Sequence, residues 1–190
     1  MANTKPSTVL LKLALIAMAL ASASAASAST THLRFYMHDT VTASAENPAT
    51  VVQVTRGTTP LPGAPTTRFG DMYVIDDPLT ERPSASSPAV GRAQGFYLFS
   101  AQHELAVMHC LNIVFTAGEN NGSYIVVQAR DAILDKVREL PVVGGAGRFR
   151  GATGYGLLRT HSFNSSTNNA VLLIDMHLSV ELSSSSCTLG

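Results

Sequence analysis

The chain has 190 residues, with 13 basic and 13 acidic side chains, and 45% of its residues are hydrophobic. A chain of this length and balance can bury the core of a single domain, and it lacks the basic stripe expected of a protein that binds nucleic acid or an anionic membrane. We therefore expect neither nucleic acid nor membrane among its partners.

The N-terminal segment predicts a cleaved secretory signal peptide over residues 1–28. This segment combines an early lysine, a short apolar run and small residues in Ala-x-Ala spacing, and the run is too short for a membrane anchor. We expect cleavage after Ala23, Ala25 or Ala28. Residues 29–190 would then form one secreted domain.

Beyond this segment, apolar and polar residues alternate in runs of strand length, separated by stretches rich in Gly, Pro, Asn and Ser. The eight predicted strands cover residues 33–42, 50–56, 69–76, 91–100, 104–116, 123–130, 150–161 and 170–182. Short connections between consecutive strands, including a hairpin signal at residues 119–122, indicate antiparallel order. The sequence predicts an all-β fold, an eight-stranded up-and-down antiparallel β-barrel, with a two-sheet sandwich as the alternative.

The stretch from residue 131 to residue 160 combines charged side chains with a glycine cluster. Three of the four residues at positions 144–147 are glycine, which predicts an enforced turn, and residues 132–140 could form one or two helical turns. The cluster lacks the strand-to-helix setting of a dinucleotide loop. Asp131 and Arg138 precede it, and they could form a loop ion pair or belong to a pocket.

Five ionisable or hydroxyl residues fall at strand positions or beside them and could line a barrel lumen: Asp39, Tyr97, Asp131, Arg138 and Thr160. A barrel of eight strands can hold one small ligand. A buried carboxyl group there could exchange a proton with a bound phenol or quinone methide, because burial raises its pKa. The alternative is structural, with Asp131 and Arg138 paired in a loop and Tyr97 a core aromatic residue.

Motifs for metals and cofactors are missing from the sequence. The six histidines lack metal-ligand spacing, and there is no Gly-x-Ser-x-Gly, His-Glu-x-x-His or Cys-x-x-Cys motif. Surface or strand positions explain the histidines better than ligand positions do. We therefore expect no metal and no cofactor.

Further features fit the secretory route. Asn121 and Asn164 each begin an Asn-x-Ser glycosylation acceptor. Cys110 and Cys187 could form one disulfide, although Cys110 also fits a plain core thiol. Apolar residues on both faces of several strands favour a homo-oligomer, and cover by the protein's own loops is the alternative.

Several phrases of the sequence resemble the plant dirigent proteins, and together they extend over almost all of the mature chain. They are residues 35–39, 69–70, 75–80, 90–97, 112–115, 118–123 and 138–155. The resemblance implies an eight-stranded antiparallel barrel that forms a dimer or trimer and is secreted to the apoplast, the extracellular space of plant tissue.

The same resemblance implies a role in the stereoselective coupling of phenoxy radicals from monolignols such as coniferyl alcohol. In that family a separate laccase or peroxidase makes the radicals, and the dirigent protein holds them in a fixed orientation. By motif position, Asp39 and Asp131 would be acid/base groups on a quinone methide, Arg138 would position a phenolic oxygen, and Tyr97 and Thr160 would supply hydrogen bonds.

Two other functions remain open at this point. One is a dehydratase or cyclase that acts through a quinone methide, of the isoflavanol-to-pterocarpan type. The other is a non-catalytic secreted protein that binds phenols or belongs to the cell wall.

Overall fold

The computed structural model describes residues 28–45 and 47–181. The strands in this part of the chain are β1 (Ala28–Asp39), β2 (Val51–Thr55), β3 (Thr59–Leu61), β4 (Ala64–Phe69), β5 (Met72–Thr80), β6 (Ala89–Phe99), β7 (Ala106–Phe115), β8 (Tyr124–Ala132), β9 (Arg138–Ala146), β10 (Thr153–Asn164) and β11 (Asn169–Glu181). Two short 3₁₀ turns cover Gly118–Asn120 and Gly147–Phe149. Among the helical segments described, none is long and apolar enough to cross a membrane.

Eight strands close into an antiparallel barrel, which confirms the predicted fold class. Strands β5 to β11 follow one another around the wall, each paired with the one before it. β1 then pairs with β11 along its length and with β5 at Tyr36↔Thr80 and Met37↔Leu79. The β1–β5 contact is therefore a short seam that closes the up-and-down order.

The strand predicted at residues 50–56 is present as β2, but it is not one of the eight strands that close the barrel. β2 pairs with β5 at Val51↔Ile75 and lies beyond the point where the β1–β5 pairing ends. It pairs with the rest of β5 at the edge of the sheet instead of forming a separate wall strand. The small β3–β4 hairpin lies in a stretch that the sequence predicted to be irregular.

The missing wall strand is β9, which contains most of the glycine cluster that the sequence predicted to be a turn. Gly144 and Gly145 pair with β8, while Gly147 alone begins the turn, with φ of +64°. A Cβ atom on Gly145 would lie 2.5 Å from the carbonyl oxygen of Phe149, so only glycine permits this close backbone approach. The suggested helical turns at residues 132–140 are absent from this described stretch, since β9 begins at Arg138.

The two halves of the barrel interior differ in composition. Because side chains alternate along a strand, one face of each wall strand points inward. Where β7 ends and β8 begins, the interior is apolar, and it includes Phe35, Ile113, Phe115, Ile125 and Phe149. The opposite end, where β1, β6, β8 and β10 finish, carries the polar inward residues and is called the polar end below.

The β3–β4 hairpin packs over part of the polar end. Leu61 is buried there in a small apolar cluster against which Tyr73 and Tyr97 pack. Asp71, which is fully buried, accepts hydrogen bonds from the backbone N–H groups of Gly57 and Arg68. A buried carboxylate with several donors anchors its loop firmly, so the hairpin is held in place beside the lumen.

Candidate functional site

The five predicted site residues lie on the inward side of wall strands at the polar end. Asp39 ends β1, Tyr97 is near the end of β6, Asp131 is near the end of β8, Arg138 begins β9 and Thr160 is on β10. Antiparallel order makes the ends of β1, β6, β8 and β10 meet the start of β9 at one end of the barrel. The structure thus brings all five residues to the same region.

Asp131 and Arg138 form a buried ion pair between neighbouring wall strands. Arg138 Nε is 3.6 Å from Asp131 Oδ1, and both side chains are almost completely buried. The guanidinium group also donates through Nη2 to Thr160 Oγ1 at 3.0 Å and through Nη1 to the Ile133 carbonyl oxygen at 3.3 Å. The pair is therefore part of the barrel wall and not of a loop.

His109 completes this group, and sequence analysis did not select it. Its Nε2 lies 3.1 Å from Asp131 Oδ2, and its ring centroid is 5.8 Å from that of Tyr97. Nδ1 is buried with no hydrogen-bond partner among residues 28–45 and 47–181. The signal in the sequence was its place in the alternation with Val107 and Leu111, which puts an imidazole on an inward apolar face.

Asp39 has a different environment from Asp131. Its Oδ1 is buried without a hydrogen-bond partner, as is Asp131 Oδ1, but Asp39 has no ion-pair partner within the described residues. Burial raises the pKa of Asp39 to about 6, and the charge of His109 opposes this shift. At mildly acidic pH the group is therefore largely a neutral carboxylic acid.

Asp77 is a second carboxyl group on the same side of the lumen, and sequence analysis did not select it as a site residue. Continuing the β1–β5 pairing by two residues puts it opposite Asp39. It is fully buried, and the Thr50 hydroxyl forms a hydrogen bond with its Oδ1. Burial first, and then the charge of Asp39, raise the pKa of Asp77 to about 8.

Two stacked tyrosines lie between the acidic and basic sides of the site. The rings of Tyr73 and Tyr97 are 4.9 Å apart and 19° from parallel. Burial is the main cause that raises the pKa of each phenol. Both groups therefore remain neutral hydroxyls that can donate a hydrogen bond to a ligand.

A groove of about 520 Å³ runs beside Asp39 at the seam between β1 and β5. Its lining includes His38, Thr50, Pro78 and Phe163 in addition to Asp39. Since Tyr97, Asp131, Arg138 and Thr160 line the lumen instead, this groove is not the whole site. Within the described residues, no group of three or more His, Cys, Asp or Glu side chains could hold a metal ion.

The predicted glycosylation sites are both at the surface. Asn121 lies in the turn between β7 and β8, and Asn164 ends β10; both are exposed. Cys110 is half-buried on β7, and Cys187 lies outside the described residues. Glycosylation and the disulfide therefore stay predictions.

Comparison with known proteins identifies the family. The model of the family described as dirigent-like protein matches residues 30–179. The chain is 48% identical to Dirigent protein 1 of Arabidopsis thaliana over 132 residues, which is 69% of each protein. It is 36% identical to Pterocarpan synthase 1 of Glycyrrhiza echinata over 148 residues, 77% of this chain and 76% of the relative.

A solved structure agrees with this assignment. The pterocarpan synthase dirigent protein PsPTS1 superposes with a TM-score of 0.74 and 34% sequence identity, covering 81% of this chain and 97% of that one. The family match covers residues 30–179, which is almost all of the described domain. This chain belongs to the dirigent family.

Proposed function

We propose that this protein binds phenoxy radicals of monolignols, such as coniferyl alcohol, at the polar end of its barrel and directs their coupling to an optically active lignan. A separate laccase or peroxidase supplies the radicals. The observation that carries the proposal is the position of Arg138, with Thr160, at the same barrel end as the acid Asp39. Arg138 would hold a phenolic oxygen and Asp39 would transfer a proton. Together they would fix the orientation of the substrate and the product that forms.

The contacts support a division of roles among the site residues. Arg138 carries several N–H donors and is suited to a phenolic or phenolate oxygen, while Thr160 and Tyr97 add hydrogen bonds. Asp39 is suited to protonate the carbonyl oxygen of the quinone methide that coupling produces. Asp131 faces Arg138 and His109, so we assign it the role of orienting them instead of the acid/base role that the family resemblance implied.

A second candidate function is a dehydratase or cyclase that acts through a quinone methide. The 36% identity to Pterocarpan synthase 1 favours it. So does the raised pKa of Asp39, because a neutral carboxylic acid can protonate a leaving hydroxyl group. In this function no radical partner is required.

The proposal includes the setting in which the protein works. We propose that it is secreted to the apoplast, glycosylated at Asn121 and Asn164, and a homo-oligomer. Exposed valines on the outer barrel wall support the oligomer, since Val52 on β2 is 59% exposed and its pairing partner Val74 on β5 is 44% exposed. Light scattering should give a dimer or trimer, and a monomer at micromolar concentration would contradict it.

The decisive experiment is oxidation of coniferyl alcohol by laccase with and without the protein, followed by chiral chromatography of the lignan product. We expect one enantiomer in excess only when the protein is present. Asp39→Asn should remove most of that excess, and Asp135→Asn, which changes an exposed carboxyl group in the loop between β8 and β9, should retain it.

Racemic product with the wild-type protein would overturn the leading function. Turnover of an isoflavanol without oxidant would then support the second candidate. Phenol binding without either activity would leave a non-catalytic binding protein.

A further inference from the structure

His109 is a buried imidazole with only one of its two ring nitrogens in use. The residue is 7% exposed and sits on the inward face of β7. Within the described part of the chain, Nδ1 has no partner. Burying a polar atom without a partner costs free energy, so such an atom in a site indicates contact with a ligand.

Asp131 determines which nitrogen remains available. Its carboxylate accepts a hydrogen bond from the Nε2–H of His109 at 3.1 Å, and Arg138 lies against its other oxygen. In the neutral imidazole, protonation at Nε2 leaves the lone pair on Nδ1. A base whose far nitrogen is fixed by a carboxylate is oriented and stabilised when it takes up a proton.

Asp39 lies across the same end of the barrel from this base. β1 and β7 are three positions apart around the wall, separated by β5 and β6. The charge of His109 lowers the pKa of Asp39, so the two groups influence each other through one poorly solvated space. The site thus has a carboxylic acid on one side and an imidazole base on the other.

We propose that His109 is a catalytic base of this site, positioned by Asp131 and acting together with Asp39. A hydroxyl oxygen of the substrate forms a bond to the electrophilic carbon of the quinone methide, and the hydroxyl proton passes to His109 Nδ1. The quinone methide carbonyl oxygen takes a proton from Asp39 and becomes a phenol.

The proton balance of this step closes without a redox partner. Afterwards the His109 imidazolium releases one proton and the Asp39 carboxylate takes one up, which restores both groups to their starting states. The substrate is isomerised, so the step needs no oxidant or reductant. The inference rests on the proposed function, because the quinone methide that it consumes is the one that radical coupling produces; bonding of the substrate's own hydroxyl oxygen to it closes a ring.

The other ionisable groups around His109 are an ion pair, two neutral phenols and two acids. Asp131 on β8 and Arg138 on β9 offset each other, and Tyr97 on β6 and Tyr73 on β5 stay neutral because burial raises their pKa. The carboxyl groups of Asp39 and Asp77 complete the set. Burial raises the pKa of both acids, so they should contribute to the pH dependence of the reaction near neutrality.

A binding experiment tests the inference without any turnover. Protein labelled with ¹⁵N at histidine is titrated with coniferyl alcohol in the absence of oxidant. We expect the Nδ1 resonance of His109 to move while Nε2 keeps its proton, and we expect Asp131→Asn to alter the tautomer. Phenol binding that leaves both His109 nitrogens unchanged would overturn the inference but spare the proposed function; no phenol binding at all would overturn both.

A kinetic experiment separates a catalytic base from a structural residue. His109→Phe retains a ring against Tyr97 but removes both nitrogens, and we expect at least about a 100-fold loss in the rate of cyclisation. The loss should appear in the rate of the chemical step, while phenol affinity should change little. His103→Phe, at an exposed loop position, is the control.

A second variant keeps this test usable if His109→Phe does not fold. His109→Gln retains hydrogen bonding to Asp131 but cannot serve as a base, so it should show the same kinetic loss. An unchanged rate of cyclisation in either folded variant would contradict the inference.

Discussion

Two sides of the polar end carry buried carboxyl groups in contrasting electrostatic settings. On the β1–β5 side, Asp39 and Asp77 have no ion-pair partner among the described residues, and burial is the main cause that raises their pKa values to about 6 and about 8. On the β8–β9 side, Asp131 is bracketed by Arg138 and His109. A carboxyl group that is buried without a cation can act as a proton donor, whereas a carboxyl group that is buried beside a cation forms a structural ion pair.

The direction of neighbouring side chains explains why no arginine neutralises Asp77. Asp76 and Asp77 are consecutive in β5 and therefore point to opposite faces. Arg92 hydrogen-bonds both the carboxylate and the carbonyl oxygen of Asp76, on the exposed face. Arg92 thus pairs with Asp76 on the outer face. The buried carboxyl group of Asp77 on the inner face is left without an ion-pair partner among the described residues.

The largest effect should come from removing the cation on the anchored side. Arg138→Met leaves Asp131 buried without its guanidinium partner, which should lower the free energy of unfolding by about 3–5 kcal/mol. Urea denaturation at neutral pH measures this loss. A variant as stable as the wild type would mean that His109 alone compensates Asp131, and the contrast between the two sides would weaken.

A pH-dependent effect should appear on the acidic side. In the folded protein the pKa of Asp77 is raised from 3.8 to about 8, so the folded state retains a proton that the unfolded chain releases first. The free energy of unfolding should therefore fall as pH rises from about 4 to about 8. Asp77→Asn should remove this part of the pH dependence.

Asparagine preserves an acceptor for the Thr50 hydroxyl, so that variant isolates the charge. Asp135→Asn, at an exposed position, is the matched control and should leave the pH dependence as it is in the wild type. Equal slopes for Asp77→Asn and the wild type would show that Asp77 ionises normally.

A smaller effect is expected for the hydrogen bond that steadies Arg138. Thr160→Val removes the hydroxyl that accepts from Nη2 at 3.0 Å and nearly preserves side-chain volume. Because Thr160 is exposed, we expect a loss of only about 1 kcal/mol in thermal or urea unfolding. A loss as large as that of Arg138→Met would mean that the arginine depends on this one contact.

The smallest effect on stability should come from breaking the surface ion pair between Arg92 and Asp76. Arg92→Gln breaks the ion pair with Asp76, in which both side chains are substantially exposed. Surface pairs contribute about 0–1 kcal/mol, so the denaturation midpoint should barely move. A larger loss would mean that Arg92 also stabilises the seam near Asp77.

The sequence carried enough information to predict the barrel and the inward set of residues. Alternation has a period of two, so it identifies which side chains share a face without any knowledge of the partner strands. The five predicted residues came from that pattern together with the family resemblance, and all five reach one end of the lumen. His109 and Asp77 follow the same alternation but were not recognised, because a single polar residue in an apolar strand has several structural explanations.

Local sequence alone determined the all-β character, the approximate strand positions and the side of each strand that faces the core. The tertiary structure decided which strands form the wall, because β9 runs through Gly145, whose close backbone approach to Phe149 exists only in the folded protein. It also decided the partners of each carboxyl group, since Asp77 meets Asp39 and Asp131 meets His109 and Arg138 through strand register. Alternation is a local property, whereas register and closure depend on residues far apart in the chain.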